Sequence, residues 1–238
     1  MKDAIRIADD EVYLKENRYE KPKEITKFVV SLFEKAFDKR KNACVLDIAC
    51  AAGEFLYYFR KRRPSFNYYG IDISEPLIEK AKKMNPDINL KRHSLLKPPY
   101  FDGKKFDVVF CLGTVSIFDD IETTILCILS AAKRDSLVYI GSIFNPHPVD
   151  ALVVYRPSSI NSDDPWQSGF NRFSIQTVNN ILKPIVKSFT WYEHKMPFAL
   201  KKQDDPMRSW TIMTEQDSYQ RINGIGLLCS TYIVEIVV

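Results

Sequence analysis

Residues 45–56 read VLDIACAAGEFL: a short apolar run closing on Asp47, then a turn of very small residues, then the start of a helix. An uninterrupted apolar run is the pattern of a parallel strand covered on both faces. Small residues where strand hands over to helix let the backbone and a ligand approach closely. Ligands of open α/β sheets sit at the carboxyl ends of the strands, so this turn is a place to bind something.

The flanking sequence repeats the strand-then-helix rhythm. Residues 66–73, FNYYGIDI, are another apolar run finishing in an acid. Asp72 lies nineteen positions after Gly53, where a nucleoside-binding fold sets its acid against the ribose hydroxyls. One carboxylate can accept from both hydroxyls. Ser74 then caps a helix with Pro76 in its first turn. A shorter strand at 88–93 leads to Ser94 and Leu95, and FDVVFCLGTVSIF at 106–118 is a fourth strand running into a loop. Asp119 and Asp120 read as caps of a helix over 121–134, and LVYIGSIF at 137–144 is a fifth strand. Upstream, Ile25, Phe28, Val29, Leu32, Phe33, Ala36 and Phe37 mark one apolar face of a helix over 21–39.

Asp47, Ala49, Ala51 and Gly53, the second acid-ended strand, FDVV and the fifth strand together resemble the class I S-adenosylmethionine-dependent methyltransferases of small-molecule type. That family's first motif is an acid followed by xGxGxG. Two of its glycines are alanines here, and alanine resists positive φ. The resemblance implies an α/β fold: a seven-stranded, mostly parallel Rossmann-like sheet with helices on both faces and a lid insertion after the fifth strand. It implies a single domain over 1–238, divided into a cap and helix (1–40), a cofactor-binding core (41–144), a substrate lid (145–172) and a C-terminal helix and strands (173–238). STYIVEIVV, 230–238, is then the strand inserted antiparallel beside the fifth. The implied cofactor is S-adenosyl-L-methionine, with S-adenosyl-L-homocysteine as product. Its implied contacts are Tyr19, Asp47, Ala49, Cys50, Ala51, Gly53, Asp72, Ile73, Ser94, Leu95, Cys111, Leu112 and Gly113, with Tyr19 closing over it from the N-terminal segment.

On the acceptor side the signals are sparser. His147, between Pro146 and Pro148 at the end of the fifth strand, is the histidine placed to serve as general base; the plainer reading is a loop residue. Residues 149–172 read as a long loop, hence a lid. Within it Tyr155, Arg156, Trp166 and Arg172 suit a sugar ring, an aryl group or a phosphate. The resulting expectation is O-methylation of a hydroxylated metabolite such as a sugar or nucleotide-linked sugar. An RNA methyltransferase and a non-catalytic S-adenosylmethionine-binding protein are the alternatives. Arg60, Lys61, Arg62 and Arg63 could meet RNA, but a charge run closing a helix is the pattern of a solvated end. A small-molecule acceptor is therefore expected, nucleic acid is not, and a homodimer is left open.

Composition sets the outer bounds. The chain is 45% hydrophobic and 27% charged, as an ordinary globular protein is. Its longest apolar run is broken by Gly113 and too short for a bilayer, and the first residues lack an apolar signal core. Five cysteines without CxxC, and three histidines far apart, give a disulfide framework or metal site no support. The expected location is cytoplasmic. A net charge of +4 is compatible with anionic substrates.

Overall fold

The apolar runs become strands because successive residues point to opposite faces and both faces are covered. The computed structural model describes residues 10–37, 42–156, 158, 165–202, 204–205, 208–216 and 218–238. Five strands run parallel: β1 (Cys44–Ile48), β2 (Asn67–Asp72), β3 (Asn89–Arg92), β4 (Phe106–Leu112) and β5 (Ala132–Ile143). β8 (Ser188–His194) and β11 (Thr231–Val237) complete a seven-stranded sheet of order β3-β2-β1-β4-β5-β11-β8. β11 is antiparallel to both its neighbours, as STYIVEIVV predicts. The expected fold class is therefore the observed one.

Alternation explains the two core layers. Leu46, Val109, Val138 and Val234 face one side of the sheet, where α5 (Ile121–Leu129) and α6 (Ile175–Leu182) bring Ile125, Ile128, Val178 and Leu182. Val45, Val108, Tyr139 and Ile233 face the other. There α2 (Glu24–Ala36), α3 (Glu54–Arg62) and α4 (Glu75–Met84) supply Val29, Phe33, Leu56, Phe59, Ile78 and Ala81. Phe33 stacks or edges against Phe37, Phe59, Phe66, Phe110 and Tyr139, so this aromatic cluster fixes α2 across the sheet centre.

Some expectations are corrected. The helix predicted over 121–134 stops at Leu129, and Ala132 to Arg134 already belong to β5. The reason is pairing. Phe106 N–H donates to Ala131 O at 2.9 Å, and Lys133 Nζ reaches Asp107 Oδ1 at 2.7 Å while Oδ2 of the same carboxylate accepts from Cys44 N–H. Those bonds draw the charged stretch onto the strand. Asp120 does cap α5, accepting from Thr123 N–H at 2.9 Å, but Asp119 instead accepts from Asn171 Nδ2 at 2.7 Å. The 149–172 stretch is not wholly loop, since β6 (Val154–Tyr155) pairs with β7 (Gln167–Ser168). Beyond β8, β9 (Trp210–Met213) and β10 (Tyr219–Ile222) form an antiparallel hairpin.

The N-terminal segment contributes α1 (Asp10–Lys15), packed on α4. Residues 1–9 and 38–40 of the predicted cap, and 157 and 159–164 of the predicted lid, lie outside the described residues. The five cysteines are free thiols, with Cys50, Cys111 and Cys229 buried. No helix among the described residues is long and apolar enough to cross a membrane.

Candidate active site

Between β1 and α3 the chain makes a turn with three left-handed residues: Ala49 at φ 60°, Ala51 at φ 47° and Gly53 at φ 82°. The alanines thus adopt the conformation in which the family's pattern has glycine. A left-handed non-glycine costs roughly 1–2 kcal/mol, against roughly 0.5–1 kcal/mol of chain entropy for glycine. Replacing both, Ala49→Gly with Ala51→Gly, should therefore raise stability by about 1 kcal/mol in denaturant unfolding. An unchanged or lowered midpoint would show that their methyl packing outweighs the strain. Gly53 is spatially confined as well, since a Cβ there would come within 3.0 Å of Asn85 Nδ2 and 3.2 Å of the Ala81 methyl.

Asp72, at the end of β2, holds this turn from the adjacent strand. Its Oδ2 accepts from Ala51 N–H at 2.8 Å and its Oδ1 from Ser74 N–H at 2.9 Å. Two backbone bonds leave further lone pairs on the carboxylate. Cys50 N–H donates to Ile71 O at 2.9 Å, so β1 and β2 reach the turn in step. Ile73, next in the chain, is 67% exposed. It presents an apolar face beside the acid, a suitable bed for a flat ring.

Three acids gather at this edge, and burial outweighs the Lys80 and Lys23 charges that act on Glu54. Burial, then the neighbouring Asp72 and Glu54 carboxylates, holds Asp47 well above the ordinary carboxylate range. Burial also raises Asp72, in spite of its backbone donors, and Glu54. Oε1 of Glu54 is buried without a hydrogen-bond partner among the described residues. An orphaned buried carboxylate oxygen beside two other acids suits a ligand that carries positive charge.

The N-terminal segment lies over the same turn. Tyr19 donates its hydroxyl to Ala52 O and edges against Tyr57 with ring centroids 5.0 Å apart. Burial pushes its phenol pKa upward, so it remains a donor. Lys80 fastens the segment by donating to the carbonyls of Tyr13, Leu14 and Glu16, and Ser74 Oγ donates to Asp10 Oδ2 at 2.5 Å. Sequence alone singled out Tyr19 but not Lys80 or Asp10, which lie in no motif and meet only across 64 to 67 positions.

Across the switch from β1 to β4, Cys111 is buried and Leu112 half-buried, and Gly113 is exposed at φ 81° with open space where a Cβ would stand. Gly113 N–H donates to Gly141 O at 2.6 Å. The strand order reverses between β1 and β4, the crevice in which open α/β sheets hold ligands. Ser94 is half-buried at the end of β3. Leu95 is 6% exposed and packs in the core, so it offers the site backbone rather than side chain; Cys50, 5% exposed, does the same.

On the acceptor side, His147 is exposed, its amide donating to Asn145 Oδ1 at 3.2 Å. Arg156 lies over the Trp166 ring, 5.2 Å from its centroid, and Trp166 is 52% exposed. Tyr155 is half-buried on β6. Arg172 pairs through its backbone with Ala151, and its Nε is buried without a partner among the described residues. Asn171, which no motif flags, fixes the base of this segment: its Oδ1 accepts from Val153 N–H, and its Nδ2 donates to Phe118 O and Asp119 Oδ1.

The comparisons with known proteins agree on the fold. Residues 45–134 match the family model described as "Methyltransferase domain". A structure of the YcgJ protein from Bacillus subtilis superposes with TM-score 0.59 at 13% identity, over 89% of this chain and 98% of that one. Magnesium protoporphyrin IX methyltransferase from Synechocystis PCC 6803, with bound SAH, gives TM-score 0.58 at 15% identity, over 90% and 81%. Among curated proteins, a tRNA (guanine-N(7)-)-methyltransferase of Prochlorococcus marinus (strain MIT 9215) is 46% identical over 54 residues, 23% of this chain. The matched stretch spans a quarter of that relative's length.

This last finding corrects one expectation, that nucleic acid is not a partner. That expectation rested on the basic run at 60–63, and a helix end says nothing of how the far edge of the sheet reads an acceptor. In the structure the run is an ion-paired surface, Arg60 with Asp87 at 2.8 Å and Arg62 with Glu34 at 3.0 Å, so it speaks neither for nor against an acceptor held elsewhere. Sheet order and the superposed structures give the chain the seven-stranded Rossmann-like fold, and residues 45–134, which hold the two acid-ended strands, are similar to the methyltransferase domain of the matched family model.

Proposed function

We propose that this chain transfers a methyl group from S-adenosylmethionine to the oxygen of a small hydroxylated acceptor, such as a sugar or nucleotide-linked sugar. The observation that carries the reading is the turn of left-handed Ala49, Ala51 and Gly53 tied to Asp72, beside the buried acids Asp47 and Glu54. S-adenosylmethionine, when bound, supplies an electrophilic methyl carbon on a sulfonium. Asp72 would accept from the ribose hydroxyls, and Ile73 and Ser94 would flank the adenine. Asp47 and Glu54 would face the cationic methionine end, and the backbone at Cys111 to Gly113 would border the reacting centre. Tyr19 would close the N-terminal segment over them and exclude water.

The chain's own contribution is positioning in line, which can supply a large part of a displacement barrier. His147 is the proposed base where the acceptor must lose its proton early. Tyr155, Arg156, Trp166 and Arg172 are the proposed acceptor contacts, and the stacked Arg156–Trp166 pair supports a ring-bearing acceptor. The 145–172 segment acts as lid in this reading, within one domain of cytoplasmic location. An RNA base is the second reading, favoured by the identity shared with the tRNA-modifying relatives. Methyl-labelled S-adenosylmethionine, incubated with the chain and either a pool of sugars and nucleotide sugars or total tRNA, separates the two. Label in the small-molecule fraction supports the first, label in tRNA the second, and label in neither counts against both.

The acids carry a further consequence. Their pKa values are raised without ligand, and a cation favours their charged forms, so cofactor binding should drive protons off. At pH 6, where the cofactor's own amine stays charged, binding enthalpies in buffers of different ionisation heat should report net proton release. Net uptake would contradict the placement of the cationic end beside Asp47 and Glu54.

A further inference from the structure

Burial does not hold α1 in place. The helix is six residues long and none of them is buried, and a helix far shorter than about 12 residues does not stand on propensity alone. What orders it is polar. Lys80, on α4, commits all three of its N–H donors to the carbonyls of Tyr13, Leu14 and Glu16, at 3.1, 2.9 and 3.1 Å. Carbonyls at a helix end have no partner within the helix, and an ammonium there also meets the negative end of the dipole. Lys80 is thus a C-terminal cap delivered from another helix. The other end of α1 is tied through Asp10, whose Oδ2 accepts from Ser74 Oγ at 2.5 Å.

The anchors of α1 belong to the framework of the crevice. Ser74 N–H donates to Asp72 Oδ1, so Asp10, Ser74 and Asp72 form one line of contacts. Past α1, Glu16 pairs with Arg18 at 3.0 Å and Lys23 at 3.2 Å and bends the chain back. Tyr19 then reaches the carbonyl of Ala52 inside the 49–53 turn, with Asn85 Nδ2 3.5 Å from its hydroxyl. Residues 10–19 therefore cross from the end of β2 to the turn after β1, fastened at both ends by hydrogen bonds. Such bonds are exchanged with water at small net cost. An element held in this way opens without disturbing the apolar core.

We propose that residues 10–19 form a strap that lifts for the cofactor to enter and leave, and that Lys80 is the positioning residue that sets how often it lifts. The inference rests on the cofactor reading of the 49–53 turn. Lys80 acts through α1 on Tyr19, and touches neither the cofactor nor the acceptor in this reading. Product release then waits on the strap, as lid opening limits turnover in many enzymes. Lys80 also lends its charge to Glu54, so the two roles have to be told apart by experiment.

The test uses the full chain and two readouts: hydrogen exchange over residues 11–19, and the rates at which labelled S-adenosylmethionine binds and is chased off by S-adenosylhomocysteine. Lys80→Met keeps the aliphatic stem and removes the donors. It should quicken exchange over 11–19, association and dissociation, each by about tenfold, as expected for losing charge-assisted bonds. Loss of the charge beside Glu54 would instead change affinity and move the two rates in opposite directions. Asp10→Ala removes the other anchor while Ser74 Oγ still takes Leu77 N–H, and should quicken all three by about threefold. Lys80→Arg, which keeps donors for the carbonyls, should restore the slow rates, and Lys83→Met, exposed on the same helix, should change nothing. Unaltered exchange over 11–19 in Lys80→Met, or cofactor rates that do not rise together, overturns the strap and leaves the cofactor reading intact. A wild type that binds no cofactor removes that reading and the gating with it, whereas faster exchange in Lys80→Met would still show that Lys80 holds α1.

Discussion

Asp72→Ala should lose affinity for S-adenosylmethionine and S-adenosylhomocysteine alike, by about 100-fold or more. Each hydrogen bond to a charged acceptor is worth roughly 1.5–3 kcal/mol, and the proposed ribose pair makes two. A second loss comes through the protein, because Ala51 N–H and Ser74 N–H both donate to this carboxylate. Without it the left-handed turn loses a tie to β2 and its geometry relaxes. Asp72→Asn separates the contributions: the amide oxygen keeps one acceptor while the amide nitrogen opposes the other donor, so an intermediate loss is expected. Equilibrium dialysis with labelled cofactor reads both variants. An Asp72→Ala protein that folds and retains its affinity within a few-fold would remove the ribose role.

Asn171→Ala should be the most destabilising single change outside the apolar core, at about 3 kcal/mol, because a buried group left without its partner costs roughly 1–3 kcal/mol. Asn171 is 1% exposed. Its side chain satisfies Val153 N–H at 2.9 Å, Phe118 O at 3.0 Å and Asp119 Oδ1 at 2.7 Å, joining the segment after β5 to the loop after β4. Its backbone N–H donates to Ser116 O at 2.7 Å, and that bond survives the change. Truncation therefore unpins one side of the acceptor edge without detaching it. A denaturant midpoint lowered by an amount corresponding to less than about 1 kcal/mol would mean that water replaces these bonds.

The cofactor half of the chain was legible because chemistry and periodicity coincide there. VLDI, YYGID and FDVVFCL are apolar on both faces, and each leads into a turn or a cap, so strand, direction and binding edge follow together. Ala49 and Ala51 were the doubtful positions, and the backbone takes the left-handed form at both in spite of their methyl groups. Less could be read beyond residue 145. β6 and β7 have two residues each, and β9 and β10 four each, too short for a period to emerge. Their important contacts join distant positions, as Asn171 does with Phe118 and Asp119. The helix end misplaced near Arg134 has the same origin, since Asp107 decides it from a different strand. Glu54 was legible only as the first residue of a helix; its buried, unpartnered oxygen is visible only in three dimensions.

The central claim is that the turn at 49–53 with Asp72 forms a cofactor site. Calorimetric titration of the unmodified chain with S-adenosylhomocysteine tests it most directly. One saturable site of 1:1 stoichiometry is the predicted result, at the micromolar level that corresponds to about 8 kcal/mol. Absence of saturable heat up to millimolar ligand would mean that the alanine methyls and the overlying N-terminal segment close the crevice, and the methyltransferase reading would fall with it.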